Sequence, residues 1–143
     1  MHHDDIAIET GDWAALSDIC SHIRRVVFIQ EQGVDESEEL DALDPECTHF
    51  LMRDGQTPCG TARLLPDGHI GRVAIAGSHR GLGLGARLMH HVIAHARTQQ
   101  FTHCVLSAQT HAIGFYERLG FEAYGDIYMD AGIPHRDMTL ELA

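Results

Sequence analysis

An α+β sandwich, with a mixed, mostly antiparallel sheet and helices on both faces, is the fold class this sequence predicts. Three observations carry it. Between residues 49 and 76, short strand-like runs follow one another across tight turns with no helix between them. Stretches of helical periodicity flank that meander on both sides. The chain then closes on two further strand-like runs around a glycine turn.

The elements follow in order. Ile6 to Glu9 reads as a first strand. Thr10 and Asp12 offer helix N-caps, and Trp13, Leu16, Ile19, Ile23, Val26 and Val27 recur at helical spacing until Gly33. Residues 31–46 gather eight acidic side chains, from Glu31 to Glu46, with no lysine or arginine among them, and read as an irregular, partly helical connection. His49 to Met52 and Gly60 to Leu65 read as strands around an Asp54-Gly55 turn, and Pro66-Asp67-Gly68 turns into a third, His69 to Ala76. A glycine-rich segment then opens a helix in which Leu84, Leu88, His91, Val92 and His95 share one face. His103 to Ser107 is a strand, and Ala112 to Leu119 a helix closed by Gly120. Ala123 to Met129 and Arg136 to Leu142 flank the final Ala131-Gly132-Ile133 turn. No repeat or linker interrupts this order, so a single domain is expected over residues 1–143.

Composition narrows the function. A hydrophobic fraction of 44% suits a globular domain, and a net charge of −11 argues against a general nucleic-acid surface, which needs clustered cations. The charge is uneven, however. Residues 68–116 hold no Asp or Glu but carry Arg72, Arg80, Arg87 and Arg97, so an anionic ligand is repelled by most of the chain and attracted to this segment. No apolar run is long enough for a membrane helix, and the acidic start lacks the apolar core of a signal peptide; a cytoplasmic location is expected. Cys20, Cys47, Cys59 and Cys104 form no Cys-x-x-Cys pair, and His90, His91 and His95 come without a carboxylate motif, so neither disulfides nor a metal site is expected.

The segment Arg80-Gly81-Leu82-Gly83-Leu84-Gly85-Ala86 lies between a strand and a helix. Glycines there let backbone N–H groups approach a ligand, and the helix entry adds its positive end, which together suit a pyrophosphate. A dinucleotide site would need an acidic residue about 20 positions on, and residues 101–108 have none; a Walker loop needs lysine, which the chain lacks.

With Arg80, Gly83 and Gly85 in the pattern Arg/Gln-x-x-Gly-x-Gly/Ala, the loop resembles the acetyl-coenzyme A loop of the GNAT superfamily of N-acyltransferases. Residues 109–121 resemble its second signature through Ala112, Tyr116, Gly120 and Phe121, with Gln109 where asparagine is usual. Residues 27–34 and Gly132-Ile133-Pro134-His135 resemble the small bacterial ElaA-like branch.

The resemblance implies transfer of an acetyl group from acetyl-CoA to a primary amine by direct attack in a ternary complex. It implies that the main chain of Val73, Ala74 and Ile75 binds pantetheine and the thioester carbonyl. The amides of Arg80 to Ala86 (Arg80, Gly81, Leu82, Gly83, Leu84, Gly85 and Ala86) hold the pyrophosphate, with Gln109 on the cofactor side. Tyr116 stands near the CoA sulfur as general acid. A phenol with pKa near 10 protonating a thiolate near 8.5 is uphill by about 2 kcal/mol, so hydrogen bonding to the leaving sulfur is the firmer expectation. An alkylammonium is only about one part in a thousand neutral at pH 7, a deficit of about 4 kcal/mol, so a base is useful. Glu31 and His49 are the candidate catalytic bases, with deprotonation through water as the alternative; Glu31, Arg63 and His135 are the candidates for lining the acceptor site. The acidic run favours a cationic amine, small molecule or protein, and a homodimer is left open. Two other readings stand beside this one: a non-catalytic acyl-CoA-binding sensor or interaction module, and an enzyme like the acyl-homoserine lactone synthases.

Overall fold

A computed structural model describes residues 5–35 and 42–142. Strand β1 (Ile6–Gly11) leads into helix α1 (Trp13–Arg24). Asp12 is the N-cap, its carboxylate accepting the Ala15 amide at 2.9 Å. Thr10, the other expected cap, instead stays in the strand and contacts His91 Nε2 through Oγ1 at 3.1 Å. The helical periodicity continues past Arg24, but the backbone widens into a π-helical segment, Arg25–Glu31. The Gln32 amide there reaches the Val27 carbonyl at 3.2 Å, and Gly33, at φ +72°, ends the run as expected. Of the acidic connection, residues 36–41 lie outside the described residues, and Asp44–Glu46 forms one 3₁₀ turn.

The meander comprises β2 (Thr48–Asp54), β3 (Thr57–Leu64) and β4 (Ile70–Ile75), which with β1 make an antiparallel sheet in the order β1-β2-β3-β4. Period-two alternation sends Leu51 to one face and Phe50 and Met52 to the other. On the first face α1 packs Leu16, Cys20 and Ile23 against Leu51 and Ala74. On the second, helix α2 (Leu84–Thr98) packs Leu88, Met89 and Val92 in a core with Phe50, Met52, Leu106 and Met138. All four cysteines are buried free thiols.

Strand β5 (His103–Gln109), helix α3 (Ile113–Arg118), β6 (Glu122–Asp130) and β7 (Ile133–Glu141) complete the chain. The last three strands form a second antiparallel sheet, ordered β5-β7-β6. The two antiparallel sheets meet at one parallel bridge, His69 to Val105, which gives the mixed, mostly antiparallel arrangement that the sequence predicts. Helix α3 starts one residue later than the sequence suggests, after a 3₁₀ turn at Thr110–Ala112.

Candidate active site

The site begins where the two sheets part. The Val105 amide donates to the Gly68 carbonyl at 3.0 Å, and beyond that bond β4 and β5 are not paired. β4 also carries a bulge: Thr61 faces Ala74 and Arg63 faces Gly71, so Arg72 and Val73 stand opposite Ala62 alone. Arg72 takes φ +53°, a left-handed conformation uncommon for a side-chain-bearing residue. The opening holds a cavity of about 490 Å³. Val73, Ala74 and Ile75 line one wall and Leu106, Ser107 and Gln109 the other, while Phe28 and Glu31 come from the π-helical segment. Tyr116 and His135 complete it.

A second depression shares Val73, Ile75 and Arg80 with the first and runs over the glycine loop. The loop's glycines differ in their reasons. Gly81 and Gly83 take φ of +78° and +76°, and a Cβ at either would meet nothing within 4 Å, so the space above them is open. Gly85 lies under the Phe115 ring, where a Cβ would come within 3.4 Å, an ordinary contact distance. The first helical bond of α2 runs from the Arg87 amide to the Gly83 carbonyl, leaving the amides of Leu84, Gly85 and Ala86 ahead of it. Those amides and the helix dipole suit an anion. Leu82 packs against the core instead of lining either depression.

Arg80 does not turn its side chain toward the loop. Its Nε donates to the Ile75 carbonyl at 2.9 Å, its Nη2 meets Glu31 at 2.7 Å, and its own amide is used by Gly77. Next to this pair, Gln109 Nε2 donates to Gln32 Oε1 at 3.0 Å. The end of the π-helical segment therefore ties to both sides of the cleft at once. Gln32 was not anticipated, and neither were Arg72, Ser107, His111 and Asp130, all of which line the cavity. The only signal for them was their adjacency to Glu31, Val73, Gln109 and the final turn.

Burial pushes the Tyr116 phenol up to about 12.

Two expected site residues are not brought into the cleft. His49, 1% exposed, donates Nε2–H to the Asp44 carbonyl at 2.9 Å and packs its ring on Trp13. Burial lowers its pKa, and the charges of Arg24 and Arg63 add to the effect against the opposing pull of Asp44, so it is a neutral structural imidazole. Arg63 donates to the Asp44 carboxylate at 2.9 Å, beside the two-pronged pair of Arg24 with the same carboxylate at 2.9 and 3.1 Å. Burial alone would raise the Asp44 pKa, but the hydrogen bonds and charges of Arg24 and Arg63 hold it below the usual carboxylate value. Both corrections have one reason: the cleft opens beside β4, whereas His49 and Arg63 pair with each other on β2 and β3, on the side covered by α1.

Among the described residues, no group of three or more His, Cys, Asp or Glu is placed to hold a metal ion, and no helix is long and apolar enough to cross a membrane.

An antiparallel sheet parted from its neighbour beside a glycine-lined helix entry is the build of an acyltransferase. The chain belongs to the GNAT acetyltransferase family: the model for the acetyltransferase (GNAT) domain matches residues 23–142. It is 35% identical over 121 residues to the uncharacterized N-acetyltransferase YjcF of Bacillus subtilis (strain 168), covering 82% of this chain and 86% of that protein. The crystal structure of an acyl-CoA N-acyltransferase from Pseudomonas aeruginosa is 32% identical, with a TM-score of 0.84 over 94% of this chain and 99% of that one. Escherichia coli ElaA is 25% identical, with a TM-score of 0.85 over 95% and 99% of the two chains, in line with the motifs at residues 27–34 and 132–135.

Proposed function

We propose that this acetyltransferase moves an acetyl group from acetyl-CoA to a primary amine by direct attack within a ternary complex. The observation that carries the reading is the continuity of the open glycine loop with the cleft between β4 and β5. One end suits a pyrophosphate and the other a thioester with its acceptor. A GNAT family acetyltransferase from Elizabethkingia anophelis, 19% identical and alike in fold at a TM-score of 0.69, has acetyl-CoA bound.

In this reading the amides from Gly81 to Ala86 hold the pyrophosphate, and the main chain of Val73, Ala74 and Ile75 takes the pantetheine arm and the thioester carbonyl. Tyr116 hydrogen-bonds the sulfur. With its phenol near 12, giving the proton to a thiolate near 8.5 is uphill by about 5 kcal/mol. Tyr116 therefore stays protonated and stabilises the departing thiolate as a donor. The acidic run favours a cationic amine as acceptor.

The test is acetyl-CoA turnover with spermidine, tyramine, 2-phenylethylamine and a lysine-containing peptide, followed by release of the CoA thiol and by mass gain of the amine. One acetyl group on an amine nitrogen is the expected product. Acetyl-CoA binding without an acetylated product across such amines would favour an acyl-CoA-binding sensor instead.

A further inference from the structure

We infer that His135 is the base of this site, its Nε2 taking the proton from the acceptor nitrogen; the inference rests on the acetyl-transfer reading above. The first argument is the tautomer. His135 Nδ1 lies 2.7 Å from the Ile133 carbonyl oxygen. A carbonyl oxygen can only accept, so Nδ1 carries the proton and the neutral ring presents its lone pair on Nε2. Pro134, between the two residues, fixes the local backbone across which the ring reaches back.

The second argument is place. His135 is 8% exposed and lines the cavity that Tyr116 also lines. Its Nε2 has no hydrogen-bond partner among the described residues. On β7 it stands between Gln109 of β5 and Tyr128 of β6. The Tyr128 ring lies nearly parallel to the imidazole, at 21° and 6.2 Å between centroids. Tyr128 is itself held, donating to Asp137 at 2.6 Å and hydrogen-bonded to Ser107. A base oriented by a carbonyl on one nitrogen and free on the other is the arrangement that proton abstraction needs.

The third argument is exclusion. The Glu31 carboxylate in the same cavity is held by Arg80, and His49 lies outside it. The other titratable or charged groups around His135 are Tyr128 and Asp130 from β6, Asp137 of β7, His111 and Tyr116 from the stretch after β5, and Arg72 from β4.

The amine lone pair forms the C–N bond at the thioester carbonyl carbon, Nε2 takes the N–H proton, and collapse breaks the C–S bond. The sulfur leaves with its electron pair, hydrogen-bonded by Tyr116, and the imidazolium returns its proton to solvent.

The experiment compares the wild type with His135→Gln and His135→Asn, using the fastest amine of those tested for turnover. The expected result is acetyl-CoA affinity within threefold of wild type and kcat lowered about 10²- to 10⁴-fold at pH 7. The deficit should shrink as pH rises and the free amine accumulates. A loss of equal size at every pH, or activity within threefold of wild type, would overturn the assignment. Long-range ¹H–¹⁵N spectra of the wild type need no acceptor: a proton on Nδ1 of His135 supports the assignment, and a proton on Nε2 of the neutral ring overturns it. Failure of acetyl-CoA binding in the wild type would refute the acetyl-transfer reading and leave the tautomer result standing.

Discussion

Replacing Asp44 by asparagine removes a carboxylate that Arg24 and Arg63 share. All three residues are buried, at 3%, 1% and 5% exposure. The substitution keeps the volume but leaves two desolvated guanidinium groups facing a neutral amide. Breaking a buried pair in this way costs about 3–5 kcal/mol. The entropy of unfolding is about 2.1 cal/mol/K per residue, so over 143 residues each kcal/mol is worth about 3 °C. Asp44→Asn should therefore lower Tm by about 10–16 °C at pH 7, read by circular dichroism. The pH dependence has a fixed sign. The native Asp44 pKa is lowered, so its contribution is complete above the unfolded value near 3.9 and is lost as pH falls through the native one. The gap between wild type and variant should thus be full at pH 6–7 and narrow below pH 4. His49, whose native pKa is also lowered, adds acid sensitivity in both proteins as pH falls below about 6.5. A Tm loss under 3 °C, or a gap that widens with acid, would refute the reasoning.

Tyr116→Phe takes away the donor proposed for the departing thiolate, worth about 1.5–3 kcal/mol, and should lower kcat about 10- to 100-fold with little change in the acetyl-CoA KM. Gly83→Ala places a Cβ at φ +76° and should lower Tm by about 3–6 °C in thermal melts, whereas Gly114→Ala, in exposed helical backbone with open space, should raise it by about 2–3 °C. For a cationic acceptor, KM should rise several-fold between about 50 and 500 mM salt in steady-state assays; an unchanged KM would remove the acidic run from acceptor recognition.

Much of this fold is written locally. Phe50, Leu51 and Met52 alternate faces because the strand period is two, and Gly33 and Gly120 stop their helices at positive φ. The open glycine loop before α2 was legible because its signal is also local: strand, glycines, helix. What was not legible depends on strand order and on partners far along the chain. Asp44 reads as one more charge in a solvated acidic run, and only packing against Arg24 and Arg63, about 20 positions away on either side, buries it. His49 looked like a cleft residue because the strand order, which sets β3 between β2 and β4, is not written locally. The change from α to π geometry at Arg25 leaves the apolar spacing almost unaltered, yet it sets where Glu31 and Gln32 meet Arg80 and Gln109.

The central claim is that the loop and cleft form one acetyl-CoA site. A calorimetric titration of the purified protein with acetyl-CoA tests it most directly, with NAD as control and Gly83→Asp alongside, since a carboxylate above the loop amides would repel the pyrophosphate. Micromolar binding by the wild type, none of NAD, and a loss of at least tenfold in the variant are expected. No binding of acetyl-CoA by the folded wild type, or equal affinity in Gly83→Asp, would contradict it.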